Sequence, residues 1–580
     1  MQEDQGKRLL LAIAISFAFL FVYQNYFSPT PQKVEETEQT SAEKIEDPSE
    51  LVEVEVITPP AESTPSDASP LTAADSRLFL GAAEEKQITV QTPLFRAVFT
   101  NRGGALKSFR LNRFLEVMND SQSNVEMVRD AQENELPLGA EFVAAGGALG
   151  FREFLFKTDG ENLNLEAGDT GSITFRYRTT EGLEMTKSFT FSGDSYVIGT
   201  SVRFANRGSE TAGGRLTLSW APGLDPPVGQ KDTRSLATGR YGFMGAMILE
   251  GNKTTKIKSK KLEGTRVLET LPQWIATMDL YFTSVLMPTK GADGALARKR
   301  PDGRVEVGLL SQFRLKPGTA KDMEADVYVG PKEMTTLKAV DPSLAKVIDL
   351  GMFGFIAKPL LDLLNFFYRY VGNYGVAIIL LTILIKIVFI PFSAASHRSM
   401  KKMASLGPQI NVLKDRYKKD KEKLNKEIMA LYSQNKVNPA GGCVPILVQI
   451  PVFFALYRAL LGAIELRHAP FIFWITDLSS KDPLYITPII MGGTMFLQQK
   501  MTPMSGDPRQ AQIMMFMPIV FTAMFLNLPS GLVLYWTVNN ILTIGHQYYM
   551  NKTLKIATPE PEPEKKKGKG KGKGKKQKQQ

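Results

Sequence analysis

The sequence predicts a multi-domain protein in which a polytopic α-helical membrane domain with six spans accompanies an all-β domain. Long apolar stretches lie near the start of the chain and again between 374 and 549. The residues between them alternate apolar and polar side chains, as strands with one solvated face do. A chain of 580 residues is also too long to fold around a single core.

The first 28 residues predict an N-terminal transmembrane anchor. Lys7 and Arg8 precede an apolar run over 9–27 that lacks a small-x-small cleavage site. We therefore expect an uncleaved anchor with its N-terminus in the cytoplasm. Residues 29–75 are rich in Pro, Glu, Ser and Thr, and this composition predicts a disordered linker.

Residues 76–340 predict an antiparallel β-sandwich domain, because apolar and polar residues alternate in segments such as SITFRYRTT and SYVIGTSVRFANRG. The domain contains no His and no Cys, which excludes a His-based hydrolase and a Cys/His zinc site within it. Trp220 and Trp274 could bind a sugar or fill the core. A structural or partner-binding scaffold is the favoured interpretation.

Residues 345–372 predict an interfacial amphipathic helix that leads into the first span of the C-terminal half. Its polar residues are spaced by four, three and four positions, which places them on one helical stripe. They are Lys358, Asp362, Asn365 and Arg369.

The stretch 374–395, YGVAIILLTILIKIVFIPFSAA, is long enough to span a bilayer yet contains Lys386. A charge at that depth costs about 2.5–3.5 kcal/mol on insertion scales and so normally faces water, a partner or a substrate path. Thr382 lies one turn earlier on the same face. Two interpretations stay open: a lysine that snorkels to the far interface, or a polar cavity within the membrane.

Residues 396–442 predict a cytoplasmic helical hairpin. Eleven Lys and Arg against four acids give this loop a net charge of +7, and the positive-inside rule places it in the cytoplasm. Apolar residues recur at three and four positions, so two amphipathic helices are expected, joined near 418–421. A basic surface for docking would comprise Lys401, Lys402, Lys414, Arg416, Lys418 and Lys419.

Four further apolar stretches, 443–464, 484–497, 513–526 and 532–549, complete a five-span core over 373–550. With the anchor this gives six spans and places both termini in the cytoplasm. Polar residues from three spans predict a hydrophilic groove walled by membrane helices. Its expected residues are Lys386, Thr382, Gln449, Trp536, Asn540 and Thr543, with Gln547 continuing the stripe of the last span.

No pattern in the spans indicates an enzyme. They contain no nucleotide-binding loop, no metal-ligand spacing and no Ser/His or paired-Asp arrangement, so neither a cofactor nor a metal is expected.

The tail, 551–580, predicts a basic cytoplasmic segment that binds a polyanion. Nine lysines lie between 565 and 580 without an acid or an aromatic residue, and the first five are Lys565, Lys566, Lys567, Lys569 and Lys571. Ribosomal RNA and anionic lipid headgroups both fit this charge pattern.

Three long motifs carry a family resemblance. They are NPAGGCVPILVQIPVFFALYRAL at 438–460, ELRHAPFIFWITDLSSKDPLYITPIIMGGTMFLQQKMTP at 465–503 and MPIVFTAMFLNLPSGLVLYWTVNN at 517–540. They resemble the YidC family of membrane-protein insertases, closely over about 345–550. The anchor and the large β domain match the Gram-negative form of that family.

The resemblance implies an insertase and folding chaperone for nascent inner-membrane proteins, acting alone or beside the Sec translocon and its accessory subunits. It also implies a groove open to the cytoplasm and the lipid, and a periplasmic β-supersandwich. The family usually has Arg where this chain has Lys386. Lys keeps the positive charge but lacks the planar guanidinium, which can donate two parallel hydrogen bonds to one partner.

Two other function classes, a transporter and a periplasmic sugar enzyme, are alternatives to an insertase. A transporter would need internal inverted repeats and charge partners through the full membrane depth, and no convincing repeat is present. A periplasmic sugar enzyme would need two carboxylates that converge on a cleft in the β domain. No pattern in the sequence brings such a pair together.

Overall fold

The computed structural model describes residues 69–70, 81–129, 131, 135–144, 147–149, 151–220, 245–437, 444–502 and 508–553. These residues form two compact units. One unit is helical and takes in Phe355–Tyr457 and the described residues from Pro470 onward. The other is β-rich and takes in the described residues up to Gly354 together with Arg458–Ala469. The predicted anchor (1–28) and the tail lysines lie outside the described residues.

The β-rich unit contains 21 strands among its described residues, in three sheets. In chain order they are β1 Ser69–Pro70, β2 Gln87–Gln91, β3 Phe95–Thr100, β4 Ala105–Leu115, β5 Asn124–Glu126, β6 Ala140–Ala144, β7 Gly147–Leu149, β8 Lys157–Thr158, β9 Leu163–Asn164, β10 Thr170–Arg178, β11 Leu183–Ser192, β12 Val197–Asn206, β13 Ala212–Trp220, β14 Gly245–Glu250, β15 Lys253–Lys258, β16 Thr265–Leu268, β17 Trp274–Met278, β18 Phe282–Lys290, β19 Gly294–Lys299, β20 Val305–Leu315 and β21 Thr319–Pro331.

The largest sheet has ten strands in the order β15-β14-β17-β18-β21-β12-β11-β10-β8, with β1 paired to β21. The second sheet has the order β16-β19-β20-β13-β6-β7 and the third β5-β4-β3-β2-β9. Their strands are paired antiparallel, as predicted, except that β2 and β9 run parallel. The alternation read from the sequence reappears in β11 and β12, where buried and less buried residues largely alternate.

Aromatic rings fill the core of the β-rich unit. Phe99 packs against Phe189 with 4.8 Å between ring centroids, and Phe142 packs against Phe204 at 4.5 Å. Trp220 and Trp274, the two candidate sugar-binding residues, are 0% and 1% exposed. Both rings therefore belong to the core.

The ordered β structure begins earlier than the predicted boundary at residue 76. Ser69 and Pro70, which lie inside the predicted linker 29–75, pair antiparallel with Ala320 and Thr319 of β21. Local composition could not show this pairing, because its partners lie about 250 positions away along the chain.

A buried lysine joins the three sheets. Lys187 in β11 is fully buried, and its ammonium donates to Gly103 O at 2.9 Å and to Leu138 O. Gly103 lies in the turn between β3 and β4, and Leu138 lies two residues before β6, so each acceptor borders a different sheet. Burial, followed by the charge of Arg152, lowers the pKa of Lys187 well below its ordinary value.

The helices with their bounds are α1 Met334–Val340, α2 Gly354–Val371, α3 Tyr374–Ser405, α4 Gly407–Arg416, α5 Lys421–Gln434, α6 Val444–Gly462, α7 Ile486–Met501, α8 Pro508–Phe525 and α9 Ser530–Thr553. The short α1 belongs to the β-rich unit, and α6 passes from the helical unit into the β-rich one after Tyr457. Contacts of α9 with α7 and with α3 are extensive, which makes α9 the central helix of its unit.

Helix α2 occupies most of the predicted interfacial segment. Lys358 and Asp362 form an exposed ion pair at 3.1 Å, one turn apart on the predicted polar stripe. Leu360, Leu361 and Leu364 are buried. Large apolar side chains also stay exposed along the helix, notably Phe355 (75%) and Tyr370 (77%).

Helix α3 begins with a side-chain cap, because Asn373 Oδ1 accepts from the backbone N–H of Val376 at 3.1 Å. It runs for 32 residues and so continues through Ser405, beyond the predicted span 374–395. Pro391 is accommodated inside it.

Among the described residues, α3 is the one helix long and apolar enough to cross a membrane. Gln449–Gly462 and Met515–Phe525 are shorter apolar helical segments. Length and hydropathy therefore identify one clear span in the helical C-terminal region, and the total of six spans stays a prediction.

The predicted hairpin corresponds to α4 and α5, which are joined over residues 417–420. Leu406, Ile410 and Val437 form a small buried cluster. Met403, Ile428, Leu431 and Tyr432 pack against that cluster, so the apolar stripes of the two helices face each other.

Candidate substrate groove

The clearest polar contact inside the helical unit joins α3 to α9. Lys386 Nζ donates a hydrogen bond of 2.6 Å to the hydroxyl oxygen of Thr543, and the lysine is half-buried. Thr543 in turn donates to Asn539 O at 2.6 Å within its own helix. No carboxylate pairs with Lys386 among the described residues. The ammonium therefore carries a positive charge without a counter-ion in the stretch 374–395, which has no other charged residue.

A second polar contact joins α6 to α9. Gln449 Nε2 donates to the phenol oxygen of Tyr535 at 2.9 Å, and Tyr535 is 1% exposed. Tyr535 was not among the predicted groove residues, since it lies one position away from the stripe that contains Trp536. Its position next to Trp536 could have suggested it, because a buried phenol hydroxyl usually finds a hydrogen-bond partner.

Trp536 lies in an aromatic cluster. Its ring packs edge-on against Phe453 of α6 at 4.8 Å and at 5.3 Å from Phe525 of α8, with Phe521 also near. Its indole N–H is buried without a partner. The residue thus joins three helices and presents one unused hydrogen-bond donor.

The remaining stripe residues face α7. Asn540 is 3% exposed and donates from Nδ2 to Thr494 Oγ1 at 3.3 Å, while Gln547 donates from Nε2 to Thr502 Oγ1 at 3.4 Å. The polar stripe of α9 therefore does not form one wall. Thr543 contacts α3, and Trp536 contacts α6 and α8. Asn540 contacts α7, and Gln547 contacts the residue that follows α7. The contacts are separate because α9 is surrounded by these helices.

Thr382 differs from the other predicted groove residues. It is 1% exposed, and its hydroxyl donates to Ile378 O of its own helix at 2.6 Å. A hydroxyl bonded to the carbonyl four residues earlier needs no further partner. Of the six predicted residues, Lys386 and Thr543 are brought together directly, and the other four lie in separate contacts.

Of the six predicted docking cations, Lys401 and Lys402 lie near the end of α3, Lys414 and Arg416 lie on α4, and Lys418 and Lys419 lie in the loop after α4. Lys402, Arg416, Lys418 and Lys419 are exposed, whereas Lys401 and Lys414 are half-buried. Lys401 Nζ donates to Asn551 O at 3.1 Å, which ties the end of α3 to the end of α9. His397 makes a second tie there, with Nε2 donating to Asn551 Oδ1 at 3.0 Å. Neither His397 nor Asn551 was predicted.

No group of three or more potential metal ligands occurs among the described residues. The arrangement suits binding rather than bond making: a positive charge, buried amide and phenol groups, and aromatic rings placed between apolar helices. The fold and these contacts define a protein that combines a β-rich domain with a helical C-terminal region, in which polar groups join a helix long and apolar enough to cross a membrane to its neighbours.

Comparisons with known proteins agree with this class. The family described as "60Kd inner membrane protein" matches residues 366–558, and "YidC periplasmic domain" matches residues 87–363. The chain is 42% identical over 560 residues to the membrane protein insertase YidC of Syntrophus aciditrophicus, covering 94% of this chain and 99% of that one. It is 40% identical to the protein of the same name in Geobacter metallireducens, covering 95% and 99%.

Among solved structures, one described as an active YidC insertase with its first transmembrane domain resolved is similar at 19% identity. That match covers 81% of this chain and 93% of the other, with a TM-score of 0.35. The chain belongs to the YidC family of membrane protein insertases, which favours an insertase over the transporter and the sugar enzyme.

Proposed function

We propose that this chain moves hydrophobic segments of nascent inner-membrane proteins from the cytoplasm into the bilayer and assists their folding, alone or with the Sec translocon and its accessory subunits. The observation that carries the proposal is the Lys386–Thr543 contact at 2.6 Å. An ammonium without an acidic partner inside a membrane span is costly unless it serves a polar segment that passes by.

Lys386 attracts the acidic or polar part of a client while the client's apolar segment leaves along the spans at 374–395 and 443–464. At about 4 Å and an effective dielectric near 20, opposite charges attract by roughly 4 kcal/mol as an upper bound. Attraction of this size holds a segment transiently. Of the other predicted groove residues, Trp536 has a buried indole N–H without a partner, which is one donor that a client segment could use.

The proposed topology has six spans, with both termini and the hairpin region in the cytoplasm and the β domain in the periplasm. The net charge of +7 over 396–442 supports it through the positive-inside rule. The exposed cations of the hairpin region and the lysines of 565–580 then face the translating ribosome and the anionic lipids of the cytoplasmic leaflet.

Reconstitution tests this function. Purified protein in liposomes should insert a small hydrophobic polypeptide that ribosomes make outside the vesicles. The insertase itself should need no nucleotide for this step. The same vesicles should retain a trapped small solute. Vesicles with the Lys386→Glu variant provide the matched control. Solute leakage that depends on the protein, without insertion, would point to a transporter instead.

A further inference from the structure

The loop between α6 and α7 carries the most exposed large apolar side chain among the described residues. Phe473 is 81% exposed, and its neighbour Ile472 is 49% exposed. Leu484, near the other end of the loop, is 56% exposed, and Ile489 and Ile490 extend the exposed apolar surface onto the first turn of α7. Several large apolar side chains exposed on one loop and the adjoining helix indicate a binding surface for a protein or a membrane.

The tip of this loop is a closed and rigid turn. Phe471 N donates to Ile475 O at 2.9 Å, and Ile475 N donates to Ile472 O at 3.2 Å. Phe473 occupies the apex with φ of +53°, a conformation that an aromatic residue rarely adopts. Its ring stacks on Trp474 with 6.0 Å between centroids. The backbone strain therefore holds an apolar side chain outward, which is costly in water and points to a function.

Asp482 fixes the other side of the turn. This carboxylate is fully buried and accepts from the Trp474 indole N–H at 3.2 Å and from the N–H groups of Leu484 and Thr487. Burial opposes ionisation of Asp482, but these hydrogen bonds outweigh it and lower the pKa of its carboxyl. One buried anion thus connects the aromatic tip to the start of α7.

The base of the turn is attached to the point where α3 begins. Asn373, the cap of α3, donates from Nδ2 to Phe471 O at 3.0 Å. The Phe471 ring covers Gly375, where an added Cβ would lie only 2.0 Å from a ring carbon. Because α3 is the clear span, its first residues mark the depth at which the chain enters the bilayer. The tip at Phe473 therefore lies at the level of the lipid headgroups.

We propose that residues 472–474 form an aromatic wedge that inserts into the headgroup region of the periplasmic leaflet and anchors the start of α3 and α7 there. This inference rests on the topology under "Proposed function". Aromatic residues are enriched at such interfaces, because a ring fits the boundary between acyl chains and headgroups. Lys481, which donates to the Tyr485 hydroxyl at 3.3 Å, supplies a cation for the lipid phosphates.

Spin labels measure the depth of the wedge in the full-length protein. Cys443 is the only cysteine, so Cys443→Ser gives a background for single labels at Phe473→Cys and, with the apex ring kept, at Ile472→Cys. Collision with oxygen, which concentrates in the bilayer, is compared with collision with a water-soluble nickel complex in vesicles of zwitterionic and anionic lipids. Leu271→Cys in the β-rich unit is the reference for water, and Ile387→Cys in the middle of α3 is the reference for the bilayer interior.

We expect the labels at 472 and 473 to be more accessible to oxygen and less accessible to nickel than the label at 271, with a depth between the two references. Phe473→Ser should shift the label at 472 toward water. A label at 472 that behaves like the one at 271, or that is shielded from both reagents by protein, overturns the wedge. A label at 387 that is also accessible to nickel would mean that the proposed span fails. Insertion measured in the same vesicles then shows whether the proposed function fails or only the wedge does.

Discussion

Lys386 on α3 and Thr543 on α9 are 157 positions apart, and their side chains meet at 2.6 Å. The threonine hydroxyl accepts from the ammonium while donating to Asn539 O, so both of its hydrogen-bonding functions are used. The pair therefore fixes where the positive charge lies. It leaves the charge itself without a counter-ion among the described residues.

Replacing Lys386 should separate clients by charge. We expect Lys386→Ala to slow insertion of a client with an acidic translocated segment by about 10- to 100-fold, since hydrogen bonds to charged groups contribute roughly 1.5–3 kcal/mol. A matched client with an uncharged segment should be spared, and Lys386→Arg should be tolerated because it keeps the charge. Insertion rates into liposomes for the two clients measure this. Equal slowing of both would show that the residue hydrates the groove rather than attracting the segment.

Much of the architecture could be predicted from local pattern. Alternation identified the β domain, and the spacing of Met403, Ile410, Ile428 and Leu431 indicated the two facing helices. Length and hydropathy identified the span that became α3. These features are local, so a short window of sequence contains the information.

The contacts of the groove are not local, and this explains what could not be predicted. The stripe on α9 was correctly spaced, but its residues face three sets of neighbours because α9 is central. Thr382 satisfies its hydroxyl within α3, and Gln449 is paired with Tyr535, one position off the stripe. Which helix lies opposite each position depends on packing, which spacing alone does not encode.

Removal of 565–580 should weaken binding to translating ribosomes, most strongly at low salt. A run of lysines without acids binds a polyanion by releasing counterions, and this contribution falls steeply as salt rises. Co-sedimentation with ribosomes across a salt series measures it, and the two binding curves should converge at high salt. A tail in which the same lysines are replaced by Gln is the matched control for length. Binding that is unchanged at every salt concentration would assign the tail to lipid or to no polyanion.

The ties to Asn551 should hold the hairpin region in place relative to α9. His397→Leu removes one hydrogen bond, about 1 kcal/mol, while His397→Gln keeps an N–H donor. Labels at Val412 on α4 and Tyr548 on α9, both exposed, report the distance distribution by electron paramagnetic resonance in a Cys443→Ser background. We expect the distribution to broaden with Leu and to stay narrow with Gln. Identical broadening in both variants would mean that ring packing, and not the hydrogen bond, is responsible.

Lys187 should give the β-rich unit a stability that rises in alkaline solution. Its pKa is lowered in the folded protein, first by burial and then by Arg152, so between that pKa and its ordinary value near 10.4 the unfolded chain holds a proton that the folded protein lacks. The free energy of unfolding then increases with pH, by up to about 1.4 kcal/mol per pH unit within that window. Lys187→Met removes this slope, and it also leaves the carbonyls of Gly103 and Leu138 without their donor.

Urea unfolding of the full-length protein in detergent measures this slope at several alkaline pH values. Replacing Trp474 and Trp536 by Phe leaves the buried Trp220 and Trp274 as fluorescent reporters of the β-rich unit. Lys290→Met, which removes a largely exposed lysine, is the matched control and should keep the slope of the parent protein. A Lys187→Met variant whose stability changes with pH as the parent's does would mean that the buried lysine is not the group that titrates.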